Sequence, residues 1–146
     1  MSVTVIPATP DDVQLLAQMN RFLIEDEGSA NPMSIEELCQ RMKLWLEDEY
    51  QAVLFYRAKK VVGYGLYKES SDEHFPENTL IHIRQFFIEP GQRGQGLGKA
   101  AFTLLVKDVF PRGSLLSVDV LTVNPSGQAF WQSLGFEPHY ISLRRK

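Results

Sequence analysis

The segment Arg93-Gly94-Gln95-Gly96-Leu97-Gly98 constrains this chain more than any other. Its alternating glycines follow an apolar run ending at Ile88 and open a helix-like run from Leu97 to Phe110. A helix start has unpaired N–H groups and about half a positive charge, so it attracts anions. Glycine has no Cβ and lets an anion come close to the backbone. Arg93 and Lys99 can add charge-assisted hydrogen bonds to phosphate oxygens. The backbone from Arg93 to Lys99 is therefore the candidate cradle for a diphosphate.

Three phosphate loops compete for this reading. A P-loop needs glycine five residues before Gly98 and a hydroxyl residue after Lys99. The chain has Arg93 and Ala100 there. The dinucleotide fingerprint, counted from Gly94, needs glycine where Lys99 stands. What remains is the form R-x-x-G-x-G. A plain tight turn would also use glycines, but the strand–loop–helix setting favours a phosphate site, since ligands of open α/β sheets gather beyond the carboxyl ends of strands.

The rest of the chain alternates helical and strand periods, which indicates a mixed α/β layer architecture. Strands are expected at Ser2–Pro7, Gln51–Ala58, Val61–Tyr67, Thr79–Glu89, Leu115–Val123 and Tyr140–Leu143. Thr9-Pro10 starts a first helix. Ser34 with Glu37 makes a capping box for a second. Leu97–Phe110 and Ser126–Leu134 are the remaining helices. The long strand Thr79–Glu89 is apolar on both faces except for His82, Arg84 and Gln85, as a mid-sheet strand should be.

Bulk properties exclude several classes. With 146 residues, the chain fits one domain, residues 1–146, and buries a core without help from metal or disulfides. A net charge of −3 argues against a nucleic-acid partner, which demands a basic patch. The single cysteine, Cys39, favours an intracellular setting. No run of 18 apolar residues and no leader-like N-terminus is present, so the expectation is a soluble cytoplasmic protein with no membrane partner and no metal.

Two segments carry a family resemblance. Phe86-Phe87-Ile88-Glu89-Pro90-Gly91-Gln92-Arg93-Gly94-Gln95-Gly96-Leu97-Gly98 resembles the signature of the GCN5-related N-acetyltransferase (GNAT) superfamily. Asn124-Pro125-Ser126-Gly127-Gln128-Ala129-Phe130-Trp131-Gln132-Ser133-Leu134-Gly135-Phe136 is similar to that family's second segment, an asparagine after a strand followed by a helix ending in Leu-Gly-Phe. One helix and one strand separate them, as in the family. The resemblance implies a mixed, splayed central sheet of six to seven strands with helices on both faces. Acetyl-CoA would lie in the split as co-substrate. It also implies pyrophosphate binding by the N–H groups of Arg93, Gly94, Gln95, Gly96, Leu97, Gly98 and Lys99. The backbone at Phe87 and Ile88 would pair with the pantetheine arm, and Asn124 would bond to it. Dimers are common in the family, so a homodimer is an expectation.

The implied reaction is direct attack of a primary amine of a small molecule or peptide on the thioester, with no acyl-enzyme. An ammonium must first lose its proton. His82 is the candidate base, with an ordinary pKa suited to neutral pH. The Ile88 N–H is the candidate oxyanion donor. The family's usual tyrosine acid is replaced by Trp131, which is expected to pack beside the cofactor; Tyr140 and Ser126 are the nearest substitutes. Glu25, Asp26 and Glu27, at the end of the first helix, are placed to attract a cationic amine. The rival expectation is a catalytically silent module that binds acyl-CoA as a sensor or regulator.

Overall fold

A computed structural model describes residues 2–146. The first strand, β1, spans Thr4–Pro7. Thr9 then caps a 3-10 turn over Pro10–Asp12, its hydroxyl and the Asp12 carboxylate closing a capping box. That turn runs into α1, Val13–Asp26. The Ser34–Glu37 box caps α2, Ile35–Glu47, as its spacing predicts. Strands β2, Tyr50–Arg57, and β3, Lys60–Ser71, form a hairpin. Its two-residue turn, Ala58-Lys59, has both residues at positive φ, the primed-turn conformation that matches strand twist, reached here without glycine.

Strand β4 spans Thr79–Ile88, and α3 spans Leu97–Leu104 before a π-turn over Leu105–Val109. Strand β5 is Leu115–Val118 and α4 is Pro125–Ser133. The sheet order is β1-β2-β3-β4-β5, antiparallel except for the parallel β4–β5 pair that the α3 crossover requires. One face is covered by α1 and α2, which bury Leu16, Met19, Leu23 and Met42 against Leu54, Tyr64, Leu66 and Phe87. The other face packs Phe55, Ile81, Ile83 and Ile88 against Leu97 and Phe102 of α3, Leu105 of the π-turn and Trp131 of α4.

Two expectations need correction. Among the described residues the sheet has five strands, not six or seven. Residues 140–143 form no strand, and Tyr140, Ile141 and Leu143 are 75%, 83% and 88% exposed. An alternating apolar pattern makes a strand only where it pairs with an edge, and these residues pair with none of the five strands. Strand β5 also ends at Val118, five residues short of expectation. Its pairing with β4 covers only Leu80–Ile83. Beyond that point the strands part, and the β5-facing edge of β4 from Arg84 to Ile88 has no strand beside it. That separation makes the site.

Candidate active site

The parting strands open a cleft of about 440 Å³. Its walls are the end of α1 (Leu23, Asp26, Glu27), Arg84 and Phe86–Ile88 of β4, the glycine loop, Val118–Val120, and the start of α4 with Asn124.

Which backbone groups face the cleft follows from strand alternation. The Glu89 N–H donates to the Val62 carbonyl at 2.8 Å, and the Phe87 carbonyl lies hard against Gly63, where a Cβ would sit 2.1 Å from its oxygen. Phe87 and Glu89 therefore turn their backbones toward β3. With period two, Phe86 and Ile88 turn theirs toward the gap. The Ile88 carbonyl agrees with this direction, because the Arg93 Nε donates to it from the gap side at 2.8 Å. Phe86 and Ile88 thus present N–H groups to the cleft, while the Phe87 backbone does not and its side chain is buried.

The glycine loop is open. Pro90–Gln92 makes a 3-10 turn, and the Arg93 N–H closes it onto the Pro90 carbonyl at 3.2 Å. Within α3 the Ala100 N–H reaches the Gly96 carbonyl. Between them, no hydrogen bond among the described residues occupies the N–H of Gly94, Gln95, Gly96, Leu97, Gly98 or Lys99. Gly94 and Gly96 have φ of +78° and +76°, a conformation that costs other residues about 1–2 kcal/mol. Nothing stands within 4 Å of where their Cβ atoms would be, so the glycines serve the turn and leave its concave side clear. Lys99 has no carboxylate partner among the described residues and lines the cleft.

Arg93 departs from expectation. Its N–H is spent on Pro90, and its guanidinium bonds to Ile88 and to the carboxylate of Asp26, lying 5.6 Å from the Phe87 ring centroid. It ties the end of α1 to the end of β4 rather than reaching outward to a phosphate. A residue the sequence reading missed supports the same loop. Arg57, at the end of β2, donates to the side-chain oxygens of Gln92 and Gln95, both at 2.9 Å.

At the far wall, the Asn124 Oδ1 accepts from the Gly127 N–H at 3.0 Å and from the Ser126 hydroxyl at 3.2 Å, capping α4. Its amide nitrogen has no partner among the described residues, and Asn124 lines the cleft. Trp131 is buried, 7% exposed, among Phe86, Phe102, Phe130 and Phe136, with centroid distances of 4.9–5.8 Å. It forms the floor under the parted strands.

The candidate acids and bases separate clearly. His82 sits where β4 and β5 are still paired, with Nδ1 2.8 Å from the Ser117 hydroxyl and Nε2 3.5 Å from Asp119. Burial lowers its pKa against the opposing pull of Asp119. It does not line the cleft, and six residues of strand put it about 20 Å from Ile88. Tyr140 lies on the exposed tail, away from the cleft, and no tyrosine lines it. Of the three acids ending α1, Glu25 is exposed and Asp26 is held by Arg93. Glu27 is half-buried in the cleft wall, and its carboxylate has no hydrogen bond or ion pair among the described residues. Burial, then the charge of Asp26, pushes its pKa up.

The sheet, the gap and the open loop together make an arrangement of a known kind. The sequence profile of the acetyltransferase (GNAT) family matches residues 17–136, and the chain belongs to that family. No curated protein matches it in sequence. In structure it is similar to a possible acetyltransferase from Clostridium difficile 630, at 18% identity and TM-score 0.79, covering 100% of this chain and 98% of that one. A ribosomal-protein-alanine N-acetyltransferase from Brucella melitensis biovar Abortus 2308 gives 13% identity and TM-score 0.79, with 99% of both chains covered. An aminoglycoside N-acetyltransferase, AAC(6')-Iy in complex with CoA, gives 14% identity and TM-score 0.75, covering 99% of this chain and 95% of that one. At such identities the likeness is one of fold. No helix among the described residues is long and apolar enough to cross a membrane, and no cluster of His, Cys, Asp and Glu among them is arranged to hold a metal.

Proposed function

We propose that this chain transfers an acetyl group from acetyl-CoA to a primary amine by direct attack, without an acyl-enzyme. The observation that carries this reading is the run of unoccupied N–H groups from Gly94 to Lys99, which opens onto the gap between β4 and β5. A diphosphate joined to an amide-bearing arm fits that combination. The loop and the α3 N-terminus hold the charge, and the unpaired edge of β4 supplies strand-like hydrogen bonds to the arm. The free amide nitrogen of Asn124 donates to the same arm from the opposite wall. When bound, acetyl-CoA supplies an activated thioester.

The remaining chemistry belongs to the chain. Glu27 attracts the incoming ammonium and takes its proton; its raised pKa narrows the mismatch between an ordinary carboxylate and an amine, and its lack of a partner leaves it free to do so. The N–H groups of Phe86 and Ile88, fixed by the sheet before the reaction begins, face the side where the carbonyl oxygen gains charge. Trp131 and Phe86 keep the reacting end dry from below. The sulfur departs as a thiolate, a much weaker base than the amide nitrogen formed, and takes up through solvent the proton the nitrogen loses, so the step needs no dedicated acid.

The test is turnover. Purified protein incubated with acetyl-CoA and a panel of primary amines should release free thiol in step with N-acetylated product. Tight CoA binding with no thiol released by any amine would refute transfer and favour a silent acyl-CoA sensor instead.

A further inference from the structure

Beside the cleft stand two arginines with no carboxylate to pair them, of which Arg84 lines it. Arg41 of α2 and Arg84 of β4 place their guanidinium carbons 4.3 and 4.8 Å from the centroid of the same indole, that of Trp45. Arg84 also lies 5.9 Å from the Tyr50 ring centroid. Four cations of the chain do find acids: Arg21 has Glu25, Lys60 has Glu89, Lys68 has Glu49 and Arg93 has Asp26. Neither Arg41 nor Arg84 has one among the described residues. Arg41 donates through Nη2 to the buried Asn20 side chain at 3.1 Å, yet its Nε is buried without any partner. Burial first, and then the charge of Arg84, holds the Arg41 pKa down.

Stacking on an indole is worth about 0.5–1 kcal/mol at exposed sites and about 2 kcal/mol when desolvated, and it is opposed by the repulsion of two like charges drawn to one ring. An orphaned buried guanidinium N–H adds to the cost. An anion bound against the pair would offset the repulsion between the two charges. Guanidinium groups suit this task because their forked donors match carboxylate and phosphate oxygens in pairs. Arg84 lines the cleft, so the corner opens to the same space as Glu27 and Ile88.

We propose that Arg41 and Arg84 form an anion-binding corner of the acceptor site, so that the acceptor is an amine bearing a carboxylate or phosphate rather than a polyamine. The inference rests on the transfer reading above and names its substrate class. Arg84 stands four residues before Ile88, about 13 Å along the strand, and the length of its side chain shortens that span. The amine and the anion are therefore separated by a linker of several bonds. An α-amino acid acetylated on its α-nitrogen is too short to reach both ends, whereas an amine at the tip of a side chain or a short peptide is long enough. Glu27 receives the ammonium and the arginines receive the anion.

The test compares four acceptors of equal chain length with acetyl-CoA: 6-aminohexanoate, 6-aminohexyl phosphate, hexylamine and 1,6-diaminohexane. The kcat/KM for the better anionic amine should exceed that for hexylamine at least tenfold, as expected for hydrogen bonds to a charged group. Whether the carboxylate or the phosphate is preferred distinguishes the two anion sources. Arg84→Met keeps the aliphatic packing on Trp45 and should reduce the preference toward unity through KM, with Arg84→Lys restoring part of it. Arg41→Met should act in the same direction. Turnover of hexylamine or the diamine as fast as the anionic amines would overturn this inference and leave the transfer reading standing. So would a preference that survives Arg84→Met. If no amine is turned over, binding of 6-aminohexanoate to the CoA-saturated protein by calorimetry decides: binding lost in Arg84→Met supports the corner, and no binding overturns it. Failure of the protein to bind CoA would instead count against the transfer reading.

Discussion

Replacing Gly96 with aspartate and, separately, with asparagine separates the backbone demand of the loop from its charge. The two side chains have nearly the same shape, and both tolerate the left-handed conformation that Gly96 adopts at φ +76° better than other side chains do. A Cβ at this position meets no atom within 4 Å, so neither substitution collides with the fold. Each should cost the free protein about 1 kcal/mol, a fall in Tm of about 2–4 °C for a chain of this size. They should differ in CoA binding. A carboxylate at about 5 Å from a phosphate charge, at an effective dielectric near 20, opposes binding by about 3 kcal/mol. That is roughly a hundredfold in Kd. Calorimetric titration with CoA at low salt should show a modest loss for Gly96→Asn and a loss about a hundredfold greater for Gly96→Asp. Thermal melts with excess CoA should show stabilisation of wild type that is largely lost only in the aspartate variant. Equal Kd values for the two variants would refute the placement of the diphosphate on this loop.

Three further outcomes follow from the geometry. Arg93→Ala cuts the link between α1, β4 and the glycine loop and should destabilise the protein by about 1–2 kcal/mol in urea melts; an unchanged midpoint contradicts the clamp. Glu27→Gln should lower kcat yet raise stability near neutral pH. The folded-state pKa of Glu27 is raised, so its ionised form weakens the fold above the ordinary carboxylate range, and the stabilising effect should vanish as pH falls below about 4.5. Parallel melts of the two proteins at pH 7 and pH 4 check this, and a glutamine variant less stable at pH 7 contradicts it. Gly127→Ala would put a Cβ 2.4 Å from the Asn124 amide nitrogen, so it should break the α4 cap, cost about 1 kcal/mol and weaken CoA binding; unchanged affinity would separate Asn124 from the arm.

Sequence carried the local parts of this structure well. The Ser34–Glu37 box, the Thr9 cap, the glycine loop and the order of elements as far as the helix after Asn124 all rest on residues within a few positions of one another. Partners far apart in the chain were not legible. Arg93 looks like a phosphate ligand until the fold brings Asp26, 67 residues earlier, to its guanidinium. Arg57 supports the loop from 35 and 38 residues away. Glu27 differs from Asp26 and Glu25 only in which neighbour the packing gives each. Strand ends failed for the same reason. Val120 and Val123 look like strand continuing from Val118, but where β5 stops is decided by its divergence from β4, and residues 140–143 carry a strand pattern but pair with none of the five strands. His82 is correctly placed on β4, yet its distance from the gap depends on where the two strands separate.

Diphosphate binding in this cleft depends on the amides of Gly94 to Lys99. Backbone 15N–1H spectra recorded during a titration with CoA, and again with a pantetheine fragment lacking the diphosphate, observe those groups one by one. The largest shifts on adding CoA should fall on Gly94–Lys99, and the fragment should leave them nearly still while moving Phe86 and Ile88. CoA shifts concentrated elsewhere, with the loop amides unmoved, would contradict the reading of this cleft.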